Sequence, residues 1–305
     1  MNHGPLVYTV VLNHNGESWL KRCLESLAQC SYPWLRTVLV DNASTDNSVA
    51  VARSIASKIE IIENDQNLGF CEGNNAAIRY ALGRGADYVA LLNTDTYVEP
   101  EWLDRVVEVG EANPQIGVLG PVQLVFDGQE FNSWMTAALP DMLPALRDRT
   151  APGFWLPVEW VEGSCLVAKS KVFERVGLLD PLFFMFFEEC DLCRRARAAG
   201  FQIAVVPSSK IHHYRGGCFH QPHLAGRRAF LLLRNSMIYN STDPGASFFG
   251  NVVGLLRNDA VHLKDAMFKN GNLAAWFRAN GSVFARLPSM YRKWRADRRS
   301  VAPSN

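Results

Sequence analysis

Asp95 is the residue of this chain whose type and position most clearly suit chemistry. It follows the apolar run Tyr88–Leu92, from which Asn93 and Thr94 separate it. A carboxylate at the end of a buried strand suits Mg²⁺ or Mn²⁺, which prefer oxygen ligands and commonly complete their shell with substrate phosphates. The alternative is a turn aspartate that precedes a helix beginning at Pro100, and the tripeptide alone does not decide between the two.

Three acids that directly follow an apolar segment form a second candidate cluster. Glu188, Glu189 and Asp191 come after Phe183–Phe187. Carboxylates crowded in apolar surroundings resist simultaneous ionisation, so one of them can have a raised pKa and act as a general base. The alternative is a solvated helix N-terminus, where the helix dipole favours acids. This alternative explains Asp191 but not the five apolar residues before the acids.

Polar clusters also follow three other apolar runs. Asp41–Asp46 suits a pocket for a nucleobase and a ribose, although Asx turns, Ser/Thr turns and helix caps have the same composition. The other two clusters are Asn13–Gly16 and Asn67–Asn75. Together with Asn93–Asp95 they make four polar clusters.

The apolar runs alternate with amphipathic stretches. Strands are predicted over residues 7–12, 36–40, 59–62 and 88–92, and helices over 18–28, 45–55, 71–82 and 100–110. Strands that alternate with helices of this length indicate βαβ units and a parallel sheet. Ligands of such sheets bind beyond the carboxyl ends of the strands, so the four clusters should converge on one rim.

The second half of the chain is less regular. Residues 126–157 show little periodicity and are interpreted as an irregular excursion across the sheet, which could form a loop over the binding site of a second substrate, the acceptor. Residues 158–168 are predicted to be extended. The acids should begin a helix that ends at Gly200, and residues 201–206 should form a final strand. After Gly217 the chain is predicted to be mostly helical.

Composition and motifs exclude several classes of function. The chain has 305 residues, 48% of them hydrophobic, and a formal net charge of +1, so nothing points to a nucleic acid partner. No G-x-G-x-x-G follows the first strand, and P-loop, H-E-x-x-H and G-x-S-x-G motifs are missing. The seven scattered cysteines fit a reducing compartment. Without a signal peptide or an apolar run of ~18 residues, a cytoplasmic location is expected.

A zinc site is the weaker interpretation of the cysteines near the acids. Cys190 and Cys193 have C-x-x-C spacing, but they fall on one predicted helix and no second C-x-x-C follows, which favours buried thiols. His213 has Gly216 and Gly217 close behind it and could swing over the rim as a metal or phosphate ligand; a lone surface histidine is the alternative. The other candidate zinc ligands are His212, Cys218, His220 and His223.

Taken in order, these segments resemble family 2 glycosyltransferases of the GT-A fold, and most closely their bacterial rhamnosyltransferase-like branch. The resemblance covers roughly residues 6–240. It is carried by Val10–Gly16, Val40–Asp46, Asn67–Asn75, Leu91–Thr96, Gly177–Phe184, Glu188–Leu192 with Arg194 or Arg195, and His213 with Arg234 and Asn235. Each piece is weak alone, but their order and spacing together are specific.

The resemblance implies an α/β fold in which helices flank a mainly parallel Rossmann-like sheet, with a helical C-terminal extension. The GT-A domain would span residues 1–240. Its nucleotide-binding half would be about 1–125 and its acceptor and catalytic half about 126–240. Residues 241–305 would be the basic extension.

The resemblance also implies an inverting, nucleotide-sugar-dependent glycosyltransferase. Asp95 would hold the metal, Mg²⁺ or Mn²⁺, that bridges the diphosphate, and His213 would be its second protein ligand. Glu189 would be the base that deprotonates the acceptor hydroxyl. Asp41 would contact the nucleobase. The nucleotide-sugar site would comprise Asn13, Asp41, Asn42, Asn67, Asn75, Asn93, Thr94 and Asp95.

Two positions depart from the family's pattern. Asn93 replaces the first acid of the family's D-x-D, which leaves Asp95 as the only carboxylate at the metal. Glu189 stands where many relatives have Asp, so the neighbouring Glu188 stays an alternative for the base. The branch implies dTDP-rhamnose as the donor, with a UDP-hexose next, and a glycan or polyprenyl-linked glycan as the acceptor in polysaccharide synthesis.

The C-terminal region beyond residue 240 alternates aromatic and basic residues. Such a helix suits an anionic membrane surface, and the alternative is a helix that packs on the core with a solvated basic face. The membrane interpretation predicts peripheral attachment to the inner face of the cell membrane. The residues are Trp276, Phe277, Phe284, Leu287, Tyr291 and Trp294, among Arg278, Arg286, Arg292, Lys293, Arg295, Arg298 and Arg299.

Three rival functions fit part of the pattern. A sugar nucleotidyltransferase should have a basic, Gly-rich loop after its first strand, and Asn13–Gly16 is neither basic nor Gly-rich. A glycosidase uses two carboxylates but needs no nucleotide-type rim. A non-catalytic nucleotide-sugar binder would not need both Asp95 and Glu189.

Overall fold

The computed structural model describes residues 4–55, 59–214, 225–255 and 273–301. The strands in these ranges are β1 Val7–Asn13, β2 Leu35–Asp41, β3 Glu60–Glu63, β4 Tyr88–Asn93, β5 Thr96–Val98, β6 Ile116–Val125, β7 Leu156–Pro157, β8 Cys165–Lys169 and β9 Gln202–His213. The helices are α1 Glu17–Ala28, α2 Ser48–Ile55, α3 Gly69–Leu82, α4 Trp102–Ala112, α5 Ser133–Ala138, α6 Leu143–Asp148, α7 Ser170–Val176, α8 Glu188–Ala198, α9 Ala225–Ser241, α10 at residues 248–255 and α11 Leu273–Val301.

Strands from both halves of the chain form one sheet, to which the first half contributes the parallel strands β1 to β4. Within the described ranges, the strand order is β3-β2-β1-β4-β8-β6-β9-β5, and β7 pairs with β9. The β1–β2, β2–β3 and β1–β4 pairs are parallel. The fold is therefore α/β with a mostly parallel, mixed sheet, which confirms the predicted fold class.

Alternate residues of β1 face opposite layers of helices, which is why the strand is apolar throughout. Val10 belongs to a core cluster with Ile78 of α3. Val7 and Val11 belong to the cluster on the other face, with Leu24 of α1. Fully burying one such side chain contributes roughly 1.5–3 kcal/mol. The two cores fix the direction of the strand and hence the position of its polar end.

The centre of the sheet contains a strand that the sequence pattern does not predict. β6 includes Gly117, Gly120 and Pro121, which interrupt an apolar run and resemble a loop. It pairs in parallel with β9 and antiparallel with β8. Its register with β9 shifts between Pro121 and Val122, so β9 continues past Pro207 to His213 instead of ending at Val206.

The excursion over residues 126–157 is more ordered than predicted. It contains α5, a 3₁₀ turn at Pro140–Met142 and α6. The side chains of Trp134, Met135 and Leu146 from this segment are buried in the core. The segment therefore covers one face of the sheet with helical turns.

The C-terminal helix α11 packs with its inner face on the core. Ala279, Val283 and Met290 are buried in the cluster that also contains residues of α9. Its outer face exposes Phe277 and Phe284. None of the helices in the described ranges is both long and apolar enough to cross a membrane.

Candidate active site

The ends of β1 and β2 form one hydrogen-bonded unit. Asn13 and Asp41 are partners in the parallel register. Asn13 Nδ2 donates to Asp41 Oδ1 (2.9 Å), and the Ser44 hydroxyl donates to the same oxygen (2.6 Å). The Ser44 backbone N–H donates to Asp41 Oδ2 (2.9 Å). The carboxylate is thus held in place, whereas the buried Asn13 Oδ1 has no hydrogen-bond partner in the described chain.

Asn42 connects this unit to the start of α3. Its Nδ2 donates to the Gly69 carbonyl (2.9 Å) and to Asn67 Oδ1 (3.3 Å), and its Oδ1 accepts from Asn64 (3.0 Å). Gly69 has φ of 77°, and a β-carbon there would lie 2.5 Å from the Phe184 ring, so the position requires glycine. Asn42 and Asn67 therefore hold the loop between β3 and α3 against the rim.

Asn75 lies elsewhere. Its Nδ2 donates to the Leu179 carbonyl (2.8 Å), and its Oδ1 accepts from the Leu179 backbone N–H (3.0 Å). The side chain is buried with both ends of its amide engaged. The contacts give Asn75 the role of anchoring the segment before α8. Its predicted contact with the nucleotide stays a prediction.

Asp95 and His213 meet at the end of β4. Asp95 Oδ1 lies 3.3 Å from His213 Nε2, and both side chains are buried. His213 is the last residue of β9 and pairs with Thr96 of β5, and the Tyr214 backbone N–H donates to the Asp95 carbonyl (2.9 Å). The sheet thus places this histidine, whereas the sequence suggested a mobile one. Asn93, which ends β4, is half-buried and Thr94 is buried beside them.

Glu162 is a site residue that sequence reasoning missed. Its Oε2 lies 3.9 Å from His213 Nδ1, a buried nitrogen without a hydrogen-bond partner in the described ranges. Asn132 Nδ2 donates to the same carboxylate (3.4 Å). Glu162 and Ser164 come directly before β8. Polar residues next to an apolar strand are the sequence feature that could have identified Glu162 as a candidate.

The segment before α8 is shaped by three residues with positive φ, namely Phe184, Phe186 and Phe187. Asn235 of α9 holds it by donating from Nδ2 to the carbonyls of Phe183 (2.8 Å), Met185 (2.7 Å) and Phe186 (2.8 Å). Non-glycine residues in this conformation are costly, so the surrounding contacts must maintain it. The result is that α8 begins inside the protein, with its acids at the first turn.

Glu189 is held at the first turn of α8, close to Glu162. A β-carbon on Gly163 would lie 3.7 Å from the Glu189 side chain. Burial raises the pKa of Glu189 to about 7, and the charge of Glu162 adds to the rise. Its Oε2 is buried and has no hydrogen-bond partner among the described residues. A carboxylate with this pKa can accept a proton near neutral pH.

Glu188 is more deeply buried than Glu189. It is 3% exposed, and burial followed by the charge of Glu189 raises its pKa well above the usual value. Glu189 is only half-buried and lies beside Gly163, and the charge of Glu162 acts on it. Its lesser burial and its position next to Gly163 therefore favour Glu189 over Glu188 as the residue that reaches the site.

Asp191 belongs to a buried ion cluster. It is fully buried and accepts from Arg195 Nε (2.8 Å), Arg194 Nη2 (3.2 Å) and Lys293 Nζ of α11 (2.8 Å). Burial alone would raise its pKa, but Lys293, Arg195 and Arg194 lower the pKa far below the usual range. A carboxylate ionised in this way is a poor base, and the contacts give Asp191 a structural role. Its predicted catalytic role stays a prediction.

Asp191→Asn should lower the free energy of unfolding by about 3–5 kcal/mol, because it removes one partner of a buried charge cluster. Equilibrium urea unfolding followed by circular dichroism measures the change. The matched control is Asp127→Asn, which breaks an exposed pair with Arg22 at 3.2 Å and should cost less than ~1 kcal/mol. Equal effects of the two variants would contradict the structural role of Asp191.

Of the two cysteines near the acids, Cys193 is a buried thiol and Cys190 a partly buried one. Burial raises the pKa of Cys193 to about 12 and also raises that of Cys190. In the described part of the chain, no three His, Cys, Asp or Glu side chains cluster as a metal site, and the six cysteines there are free. His212 stacks on Tyr97, with ring centroids 4.3 Å apart. The other candidates in the zinc hypothesis, Cys218, His220 and His223, lie outside the described residues.

Similarity to known proteins agrees with this geometry. The sequence pattern of Glycosyl transferase family 2 matches residues 8–176. The N-acetylglucosaminyl-diphospho-decaprenol L-rhamnosyltransferase of Mycobacterium tuberculosis is 26% identical over 245 residues, 72% of this chain and 77% of the relative. The dTDP-rhamnosyl transferase RfbF of Shigella flexneri is 22% identical over 245 residues, 76% of this chain and 81% of the relative.

Solved structures show the same fold. The mannosyltransferase PcManGT of Pyrobaculum calidifontis, in complex with GDP-Man and Mn²⁺, superposes with a TM-score of 0.60 at 17% identity, over 98% of this chain and 85% of that one. TarS 1-349 of S. aureus, in complex with UDP-GlcNAc, superposes with a TM-score of 0.59 at 14% identity, over 97% and 89%. The family match spans more than half of the chain, and the structural neighbours share its GT-A fold. This protein is therefore a glycosyltransferase and belongs to Glycosyl transferase family 2.

Proposed function

We propose that this enzyme transfers rhamnose from dTDP-rhamnose, with inversion, to a polyprenyl-diphosphate-linked glycan used for cell-surface polysaccharide synthesis. The observation that carries the proposal is that His213 lies 3.3 Å from Asp95 and 3.9 Å from Glu162, whose charge in turn acts on Glu189. This arrangement supports a diphosphate site with a base beside it. The names of the rhamnosyltransferase relatives support the choice of donor and acceptor.

The rim would bind the nucleotide. Asp41 is held by Asn13 and Ser44 so that its position does not depend on the ligand, and it would contact the nucleobase. The unpartnered Asn13 Oδ1 is an acceptor that a base or ribose donor would satisfy. The GT-A domain would then consist of a nucleotide-binding half, about residues 1–125, and an acceptor and catalytic half, about residues 126–240.

Asp95 and His213 fit a divalent cation, Mg²⁺ or Mn²⁺. One carboxylate oxygen and one imidazole nitrogen 3.3 Å apart suit an ion that takes its remaining ligands from phosphates and water. Glu162 beside His213 Nδ1 would orient the ring, as acidic neighbours of metal-bound histidines do. Such an ion would neutralise charge that develops on the departing diphosphate.

Glu189 would supply the proton chemistry. It would take the proton of the acceptor hydroxyl, whose oxygen forms a bond to the anomeric carbon of the donor. The bond from that carbon to the diphosphate oxygen breaks, and the nucleoside diphosphate leaves with the electron pair. Attack opposite the leaving group inverts the configuration. Burial of Glu189 supports this role because it brings the pKa to about 7.

Transfer assays with synthetic acceptors test the proposal. Purified enzyme with Mn²⁺ should convert dTDP-rhamnose and a prenyl-diphospho-N-acetylglucosamine into dTDP and a disaccharide product, followed by liquid chromatography and mass spectrometry. UDP-glucose and UDP-galactose should be much poorer donors. Preferential use of a UDP-hexose would overturn the assignment of the donor. A product that keeps the anomeric configuration of the donor would overturn the assignment of inversion.

The outer face of α11 would rest on the inner surface of the cell membrane. Phe277, Phe284 and Tyr291 are 65%, 51% and 44% exposed and recur every seven residues, which places them on one stripe of the helix. Arginines interleave with them, and this combination suits an anionic bilayer surface. We refer to these three residues as the aromatic stripe.

Replacing the aromatic stripe by serines should weaken binding to phosphatidylglycerol vesicles at least about tenfold, since fully burying one Phe side chain is worth ~1.5–3 kcal/mol. Vesicle co-sedimentation measures the change. Because the three positions are exposed, the variant should keep its unfolding midpoint. Undiminished vesicle binding by a folded variant would show that this face does not contact the membrane.

A further inference from the structure

A cavity of about 590 Å³ lies beside the segment that leads into α8. Its walls come from residues 180–184, α9 and α11. The residues that matter for its chemistry are Arg227, Arg234 and Arg286, with Phe184, Phe230 and Asp180. We refer to it as the arginine cavity. Neither Asp95 nor His213 lines it, so it is separate from the candidate metal ligands.

The arginine cavity carries positive charge that no carboxylate of the described residues pairs with. In the described ranges, none of the three arginines pairs with a carboxylate. Arg286 donates to the Ser282 carbonyl (3.1 Å), and Arg234 donates to Asn235 Oδ1 (2.7 Å) and the Phe183 carbonyl (2.6 Å). All of these acceptors are neutral.

Among the described residues that line the arginine cavity, Asp180 is the one carboxylate, and its partner is a lysine. Asp180 Oδ2 pairs with Lys293 Nζ at 3.2 Å. Arg234 is 6% exposed, and burial together with the nearby charge of Arg286 lowers its pKa to about 10. Arg234 is buried, Arg286 is half-buried and Arg227 is exposed at the mouth of the cavity. Like charges held this close together favour the binding of an anion between them.

We propose that the arginine cavity binds the diphosphate of the lipid-linked acceptor. Guanidinium groups match phosphate oxygens in geometry and charge, and the Phe184 and Phe230 rings offer apolar contact to the first part of a prenyl chain. Arg286 lies on α11, the helix that also carries the aromatic stripe, so a diphosphate at the membrane surface would reach it. The inference rests on the proposed function and adds the group by which the acceptor is recognised.

The position of the cavity links it to catalysis. Phe184, in its wall, accepts backbone hydrogen bonds from Phe70 (2.7 Å) and Cys71 (3.2 Å) of α3 through its carbonyl oxygen. The same segment runs on into Glu188 and Glu189. A diphosphate held here would place the attached sugar near the base rather than on the opposite face of the protein.

Isothermal titration calorimetry of the full chain with geranyl diphosphate tests the proposal. Arg286→Gln and Arg227→Gln should each weaken binding about tenfold or more, as expected for loss of a charge-assisted contact. Arg295→Gln, which removes the same charge from the same helix outside the cavity, should bind like the wild type. Geraniol, which lacks the diphosphate, should bind at least about tenfold more weakly. Arg234 is left unchanged because it also holds the Phe183 carbonyl.

Competition identifies the source of the diphosphate. Geranyl diphosphate should bind equally well when dTDP and Mn²⁺ are saturating, because dTDP would occupy the nucleotide rim and not the arginine cavity. Displacement by dTDP, or equally tight binding of inorganic pyrophosphate, would overturn the proposal, as would unchanged affinity in both arginine variants. The calorimetry measures binding, and the assay of the proposed function measures transfer. If geranyl diphosphate does not bind but transfer is normal, the inference about the arginine cavity is wrong and the proposed function stands. If geranyl diphosphate binds but no rhamnose is transferred, the proposed function is wrong and the cavity still binds a diphosphate.

Discussion

Glu189→Gln should reduce kcat by about 10²- to 10⁴-fold, the usual contribution of a general base, and should leave the KM for the donor nearly unchanged. Glutamine keeps the size of the side chain but cannot accept the proton of the acceptor hydroxyl. Steady-state kinetics with the donor and a synthetic prenyl-linked acceptor measures both constants. The buried position should tolerate the change, because a neutral amide is easier to bury than a carboxylate.

Glu188→Gln is the matched control for this prediction. The two residues are adjacent and both have raised pKa values, but Glu189 is less buried than Glu188, and the charge of Glu162 helps to raise its pKa. The Glu188 variant should lose much less activity than the Glu189 variant. The reverse order would assign the base to Glu188.

The pH profile gives an independent check on Glu189. Its pKa of about 7 means that kcat/KM should fall as the pH drops through 7, because the protonated carboxyl cannot act as a base. Glu162→Gln removes a negative charge that raises this pKa, so the acid limb should move to lower pH. If kcat/KM of the Glu162→Gln variant falls at the same pH as that of the wild type, Glu162 does not influence the pKa of the base.

Asp95→Asn should lower kcat/KM by roughly 10²- to 10³-fold, because stabilisation of the leaving group by a bound cation is worth several kcal/mol. Asn93 supplies no charge at this position, so no second carboxylate compensates within the tripeptide. The variant should also need a higher Mn²⁺ concentration for half-maximal rate, measured by metal titration after chelation.

His213→Ala provides the comparison for Asp95→Asn. It should raise the Mn²⁺ requirement too, but with a smaller loss of rate, since it removes a neutral ligand and leaves the charge of Asp95. Asp127→Asn, an exposed aspartate, should change neither quantity. If Asp95→Asn keeps the wild-type metal requirement, Asp95 only shapes the turn.

The rim was predictable because each polar cluster follows an apolar run. Asn13, Asp41 and Asp95 end or directly follow β1, β2 and β4, and parallel register brings those ends together. The periodicity of the first half is also simple, since the two cores demand apolar residues on both faces of the strands. Local pattern and global fold agree there.

The second half was less predictable for physical reasons. β6 contains Gly117, Gly120 and Pro121 and looks like a loop, but both glycines lie against other side chains where a β-carbon would clash. Glu162 is separated by some fifty residues from His213, which it faces at 3.9 Å. Such a contact depends on strand pairing that no short-range pattern encodes.

The side chains of Asn75 and Asp191 show the limit of motif reasoning. The resemblance predicted that Asn75 lines the nucleotide pocket, and Asp191 was one of the three candidate catalytic acids. In the structure, Asn75 is bonded at both ends to Leu179. Asp191 is surrounded by Lys293, Arg194 and Arg195. Sequence identifies a polar residue at such positions, but only the fold shows whether its partner is a ligand or the protein itself.

The bond between Lys293 and Asp191 has a practical consequence for any shortened version of the enzyme. A chain cut before Lys293 would lose the ammonium group that helps neutralise the helix bearing Glu189. Its inactivity would then report damage at the catalytic helix and say nothing about lipid attachment. Evolution would meet the same constraint, because another C-terminal segment could replace this one only if it brought its own cation to the same place.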